Sequence, residues 1–307
     1  MTYHAGFPTR AISQASQVTI GVFDGMHQGH TAFLSALATQ AHIAGQDAVV
    51  VTFDPHPDTV VHPDSPVKLL MTPSERIAKM HECGIDHVIS IAFDKRIQSM
   101  SAAEFMEHVV HATTTKILWI GWDFALGRNR EGTASRLQEI GQHLGFTTHV
   151  VPRVSDTFGE PSSSAIRTAL SNGEIEQVTA LLGRPHAYHG VVTLGDQRGR
   201  TIGFPTANIS IDERLMLPKF GVYACIIEVG GMSHVAVTNI GLRPTFHGST
   251  ARIEAHILDF QRDIYAAHVR IALHAFIRAE QRFAGVQELV AQIQRDVAHT
   301  RLLLHAR

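Results

Sequence analysis

Cysteine is almost missing from this 307-residue chain: Cys83 and Cys225 are the only two, far apart and in no metal-ligand spacing. That excludes a disulfide-stapled scaffold and a cysteine-based zinc centre, and predicts free thiols in a reducing cytosol. A surplus of charge is also missing. Lys+Arg 26 against Asp+Glu 28 leaves a formal net charge of −2, so neither an extended nucleic-acid surface nor a charged tail is expected. No run approaches the ~18 apolar residues of a membrane span. The opening "MTYHAGFPTRAISQAS" lacks the apolar core of a signal peptide, so the expectation is a cytoplasmic protein. No fixed-period repeat and no low-complexity tract occurs. What remains, 44% hydrophobic and 18% charged, suits a globular chain with a sizeable core, and the length suggests about two domains. The 21 histidines are mostly scattered and read as compositional bias.

The first half alternates strand and helix patterns. "QVTIGVF", "DAVVVTF", "HVISIAF" and "KILWIGW" read as strands. "HTAFLSALATQAHIAG", "SERIAKMHECG" and "SAAEFMEHVVHA" read as helices, the first with Phe33, Leu34, Leu37 and Ala41 as its apolar stripe and Gly45 as its stop. Such alternation predicts a parallel sheet with helices on both faces. After about Gly183 short strands with Gly- and Pro-bearing turns take over ("YHGVVTLG", "GVYACIIEVGG", "HVAVTNIG", "RIEAHILDF", "HVRIALHAFI"), the pattern of an antiparallel barrel or sandwich. "VQELVAQIQRDVAHTRLLL" closes the chain as a helix with Val286, Leu289, Val290, Ile293 and Val297 on one face. The boundary is placed within Leu181–Gly190, giving domains 1–184 and 185–307.

"FDGMHQGH" stands where the first such strand turns into a helix. Ligands of parallel α/β sheets bind beyond the carboxyl ends of the strands, and a helix start offers unpaired N–H groups and a positive dipole end. The turn is therefore read as a phosphate site. It consists of Gly21, Phe23, Asp24 and Gly29, with His27 and His30 three residues apart as donors to charge that develops at phosphorus. Alone, the pair also suits two solvent-facing histidines, or zinc with a third ligand from elsewhere.

Several ordered motifs then carry a resemblance. "TIGVFDGMHQGH", "VVTFDPHP", "GWDFALGRNREGT" and "SSSAIRTAL" in the first half, with "GVVTLGDQRGRTIGFPTANI" and "RIEAHILDFQRDIY" in the second, resemble the bacterial bifunctional riboflavin kinase/FMN adenylyltransferases, or FAD synthetases, over nearly the whole chain. The resemblance implies a Rossmann-like α/β nucleotidylyltransferase domain followed by an antiparallel β-barrel kinase domain with a C-terminal helix. It implies a transferase that phosphorylates riboflavin to FMN with ATP and adenylylates FMN to FAD. Its partners would be riboflavin, FMN and ATP, with Mg²⁺ accompanying ATP, and neither nucleic acid nor membrane. A second reading keeps one half active and the other as a structural or flavin/nucleotide-binding module.

In FMN adenylylation the attacking phosphate is already ionised at neutral pH, so the site needs positioning and charge neutralisation rather than a base. That agrees with His27, His30 and Arg167, whose fork of donors suits a leaving pyrophosphate. Ser163 and Ser164 would bond phosphate oxygens or simply cap a helix. Phe53 and Asp123 would line the flavin-phosphate side, and Phe53 equally reads as a core aromatic. Leu126 stands where many relatives carry an aromatic, Ser164 where many carry threonine, and Ala165 where some carry arginine.

In the second half the extended segment after Pro205 would point Thr206 and Asn208 to one face. Their neutral oxygens suit Mg²⁺ shared with phosphates. Gly195, Gly199 and Gly203 would let the loop wrap a nucleotide, though a flexible hairpin would look the same. Glu254 alternates with Ile253 and Ala255 as a solvated strand residue would. The resemblance makes it the general base toward the ribityl 5′-hydroxyl of riboflavin. Arg243 and Arg278 are candidates near phosphate or flavin, or for structural salt bridges.

Overall fold

The computed structural model describes residues 1–152, 161–195, 198–245 and 248–305. The chain divides into two compact units, Met1–Glu160 and Pro161–Arg307. The first holds β1 (Thr2–Ala5), β2 (Ser16–Ile20), β3 (Asp47–Phe53), β4 (His87–Ile91), β5 (Thr115–Gly121) and β6 (Thr147–Val151). They form one sheet in the order β1-β4-β3-β2-β5-β6, parallel throughout. Helices α1 (Gln28–Ile43), α2 (Pro57–Val61), α3 (Pro73–Glu82), α4 (Lys95–Ser99), α5 (Ala102–Thr113) and α6 (Ala134–Leu144) belong to its connections.

Strand β3 shows why this sequence forms a covered sheet. Val49 and Val51 pack with Phe105, Met106 and Leu137 of α5 and α6, while Ala48 and Val50 pack with Leu34, Leu37 and Met80 of α1 and α3. A strand buried on both faces needs an unbroken apolar run, and "AVVV" is one. Each fully buried valine of the run contributes roughly 1.5–3 kcal/mol. Strand order reverses at β2, which pairs with β3 on one side and β5 on the other. The crevice for a ligand therefore opens beyond the carboxyl ends of β2 and β5. The edge strands β1 and β6 went unread in the sequence; each is short and largely exposed, with no apolar run to announce it.

In the second unit β7 (Ala187–Thr193), β8 (Ala207–Ile211), β9 (Gly221–Val229), β10 (Met232–Thr245), β11 (Gly248–Ile257) and β12 (His268–Arg278) close into an antiparallel barrel, β10-β11-β8-β7-β12-β9. With them go α7 (Ser163–Asn172), α8 (Ile175–Leu182), α9 (Arg198–Thr201) and α10 (Val286–His305). Tyr188 and Tyr223 are fully buried, and their hydroxyls donate to the Met216 and Lys219 carbonyls, as buried phenols require. Ile253, Ala255 and Ile257 are buried while Glu254 and His256 are not, as the alternation along β11 predicts.

Helix α10 departs from the expected stripe. Val286 is 60% exposed, whereas Asp296 and Thr300 are its deepest positions. Val286 opens the helix, beyond the packed surface, and Asp296 is drawn in by an arginine of β12.

Candidate active sites

The β2–α1 turn is held in an uncommon backbone shape. Phe23, Gly25 and Met26 all have positive φ, at 55°, 79° and 43°. For non-glycine residues this costs on the order of 1–3 kcal/mol each and persists only where the surroundings enforce it. Here Phe23 and Met26 are buried, and both oxygens of the buried Asp24 carboxylate accept from the Leu70 amide, at 3.1 and 3.0 Å. Gly21 lets the Phe23 ring lie over the strand end, since a Cβ there would meet Phe23 Cε2 at 2.8 Å.

His27 is the N-cap of α1: its Nδ1 accepts the His30 backbone N–H at 3.2 Å. A neutral His27 is therefore the Nε2–H tautomer. The two rings stack with centroids 3.5 Å apart, and Phe23 meets His30 edge-on at 5.1 Å. His30 Nδ1 is buried and has no hydrogen-bond partner among the described residues. Burial, and secondarily the charge of His27, holds the His30 pKa well below 6.5, so the ring is neutral at pH 7. Buried polar atoms are almost always partnered, so an orphaned nitrogen beside the first turn of a helix marks a place for a ligand's polar atom. Gly29 lies in that first turn.

Phe53 ends β3 half-buried, edge-on to Phe93 at 5.4 Å and near Phe105 at 6.0 Å. Asp123 is exposed just past β5, and its carbonyl accepts from Arg130. Leu126 is partly buried against the α5/α6 side of the core and pairs with Gly132. Ser163, Ser164 and Arg167 sit in the first turns of α7, in the second unit. The cap of α7 is Ser162, whose side chain accepts from the Ala165 amide at 3.2 Å; Ser163 and Ser164 are helical.

The second unit carries two cavities of about 350 and 410 Å³ that share Thr206. Glu254, Arg252, Asn239 and Arg278 line the first, with Val237, Leu289 and Ile293 as apolar wall. Arg200, Arg262, Phe260 and Tyr265 line the second. Register places Asn208, Glu254 and Asn239 side by side across β8, β11 and β10. Gly195 and Gly199 permit a close approach to the candidate metal residues. A Cβ on Gly195 would fall 2.0 Å from Asn208 Nδ2, and one on Gly199 would fall 2.3 Å from the Phe204 carbonyl oxygen and 3.4 Å from Thr206 Oγ1. Gly203 has φ +88° with open space around it. Among the described residues there is no group of three or more His, Cys, Asp or Glu that could hold a metal ion.

Arg278 forms an ion pair with Asp296 of α10, with contacts of 3.0, 3.0 and 2.8 Å, and Gln292 adds a bond to the same carboxylate. It ties β12 to α10 at the edge of the first cavity. The side chain of Arg243, and Phe246 of the same segment, lie outside the described residues. Sequence reasoning missed Asn239, Arg252 and Asp296. Asn239 becomes visible only through register, and Asp296 reads as an ordinary polar position on an amphipathic helix.

A parallel sheet with a nucleotide-type turn at its switch point, followed by a small closed barrel with a carboxylate in a cavity, defines a two-part transferase of nucleotides and phosphoryl groups. The family models described as FAD synthetase and riboflavin kinase match residues 9–165 and 182–304. The bifunctional riboflavin kinase/FMN adenylyltransferase of Escherichia coli (strain K12) is 38% identical over 291 residues, 93% of each chain; that of Bacillus subtilis (strain 168) is 34% identical over 303 residues, 96% and 95%. A crystal structure described as a macrolide-efflux protein from Streptococcus pneumoniae matches with TM-score 0.88 at 31% identity, covering 98% of this chain and 99% of that one. No helix among the described residues is long and apolar enough to cross a membrane. The chain belongs to the bifunctional riboflavin kinase/FMN adenylyltransferases, enzymes that make FMN and then FAD. Such ATP-using enzymes generally need a divalent metal.

Proposed function

We propose that the two reactions divide between residues 1–184, which adenylylate FMN, and residues 185–307, which phosphorylate riboflavin. The observation that carries this division is a contrast in chemistry. The β2–α1 turn presents imidazoles and helix-start N–H groups, while the barrel cavity presents carboxylates: the partly buried Glu254, with Glu280 at its exposed side and Asp296 already taken by Arg278.

In the first reaction an FMN phosphate oxygen forms the new bond to the α-phosphorus of ATP as pyrophosphate leaves. His27 and His30 donate to phosphate oxygens, and Gly21, Phe23, Asp24 and Gly29 shape the turn that brings them there. Phe53 and Asp123 face FMN. Ser163, Ser164 and Arg167 hold the departing pyrophosphate. No group needs to take a proton.

In the second reaction the nucleophile is an alcohol, and a base helps. Glu254 takes the ribityl hydroxyl proton as the O–P bond forms and ADP leaves. The apolar first cavity, with Arg278 at its edge, suits the flavin; the second, with Arg200 and Arg262, suits the nucleotide phosphates. Thr206 stands between them. Thr206 and Asn208 would hold Mg²⁺, which would neutralise phosphate charge, and Gly195, Gly199 and Gly203 would let backbone amides wrap the nucleotide. Balanced charge and the scarce cysteines support a cytoplasmic enzyme with no nucleic-acid or membrane partner.

Purified protein with riboflavin, ATP and Mg²⁺ is expected to yield FMN and then FAD on chromatography. FMN alone would sink the adenylyl half, and no product would sink the whole. Glu254→Gln is expected to slow FMN formation by about 10²–10⁴-fold while FAD still forms from supplied FMN.

A further inference from the structure

We infer that Arg252 is a positioning residue for riboflavin phosphorylation, acting through Glu254. The inference rests on the reading of Glu254 as the base. Strand β11 puts residues 252, 254 and 256 on one face, opposite the buried Ile253, Ala255 and Ile257, and all three line the first cavity. The outer two are oriented differently. His256 Nδ1 lies 2.8 Å from the Pro205 carbonyl oxygen, away from the carboxylate. Arg252 Nη2 donates to Glu254 Oε1 in a close ion pair.

Three features make this pair more than a surface contact. First, it is shielded: the Glu254 side chain is 17% exposed and that of Arg252 33%. In such a place a charge-assisted bond is stronger and more directional than on an open surface. Second, the residues flanking Glu254 across the sheet are amides. Asn208 is pressed against Gly195, and Asn239 donates to Glu280 at 3.3 Å. Among the described residues neither bonds to the carboxylate, so orientation falls to Arg252. Third, the contact is one-sided. Oε1 accepts from Arg252, and no other hydrogen bond to the Glu254 carboxylate occurs among the described residues. Oε2 is thereby left as the oxygen that takes the proton. The other cavity arginine, Arg278, is already held by Asp296 through both carboxylate oxygens and has no such task.

The step balances simply. The ribityl O–H proton passes to Oε2, the ribityl oxygen bonds to the γ-phosphorus, and the bridging P–O bond breaks toward ADP. Arg252 moves no proton; it holds the carboxylate in the rotamer that receives one.

The test is a double-mutant cycle on FMN formation with riboflavin, ATP and Mg²⁺. Arg252→Gln is expected to lower kcat by up to ~10²-fold, the scale of a misplaced catalytic group, with the KM values for riboflavin and ATP within about threefold of wild type. Added to Glu254→Gln it should cost nothing further, because a positioning residue has no role once its base is gone. Arg252→Lys, which keeps the positive charge but not the planar fork of donors, should fall between Gln and wild type in kcat. Wild-type kcat in Arg252→Gln, or losses that multiply in the double variant, would overturn the inference. So would raised KM for ATP with unchanged kcat in Arg252→Lys, which would assign the guanidinium to substrate. If Glu254→Gln alone keeps wild-type FMN formation, the reading of Glu254 as base fails first, and the two failures are distinguished.

Discussion

The His27 ring stacks on the His30 ring at 3.5 Å while its Nδ1 holds the His30 backbone N–H, so one side chain both starts helix α1 and sets the ring below it. His30→Ala removes the stacked ring and leaves the cap. It is expected to cut FAD formation from supplied FMN by about 10²–10³-fold, the scale for losing a donor to transition-state charge. FMN formation from riboflavin should be unchanged. A wild-type rate of FAD formation in that variant would show the histidine to be a packing residue.

The same burial makes His30 a source of acid sensitivity. Its native pKa lies below 6.5, so under acid conditions the unfolded chain binds more protons than the folded one at this site. The contribution to stability is therefore fully present above about pH 6.5 and lost as pH falls toward the lowered native value. Denaturant unfolding of the wild type should show a lower midpoint at pH 5.5 than at pH 7.5. His30→Gln, which cannot titrate, should flatten that difference.

Gly195 offers a check on the proposed metal residues. A methyl group there meets the Asn208 amide at 2.0 Å, and the amide must move. Gly195→Ala is expected to raise the Mg²⁺ concentration that half-saturates FMN formation, with FAD formation from FMN unaffected. An unchanged Mg²⁺ dependence would remove Asn208 from the metal site.

Asp296 is 3% exposed and holds Arg278 through both oxygens. Removing one member of a buried pair strands the other charge, typically at a cost of about 3–5 kcal/mol. Asp296→Ala should lower the unfolding midpoint of the second unit and raise KM for riboflavin, because α10 and β12 both wall the first cavity. Unfolding and initial-rate measurements on the purified variant check both.

Much of this is legible in the amino-acid sequence. The run "DAVVVTF" forms β3 over the same seven residues, because a strand covered on both faces admits little else. The alternation of "RIEAHI" already set Ile253, Ala255 and Ile257 against Glu254 and His256. Strand patterning alone leaves barrel and sandwich open, and only the resemblance of the ordered motifs points to the barrel, since closure depends on β10 pairing with β9 as well as β11, a long-range matter of register. The edge strands escaped because an edge needs no apolar signature. The cap of α7 lay one residue earlier than Ser163 for a local reason: three serines in a row are chemically equivalent caps until the backbone selects one.

Local chemistry, then, was determined by sequence alone: which residues can cap, bend, donate or take a proton, and in what order they come. Tertiary structure decided which of them meet. It orphaned a nitrogen of His30 by burying it under Phe23, and it pulled Asp296 inward to Arg278. It also set Asn208 and Asn239 on either side of Glu254. Those relationships join residues many positions apart through sheet register and packing, and no spacing along the chain encodes them.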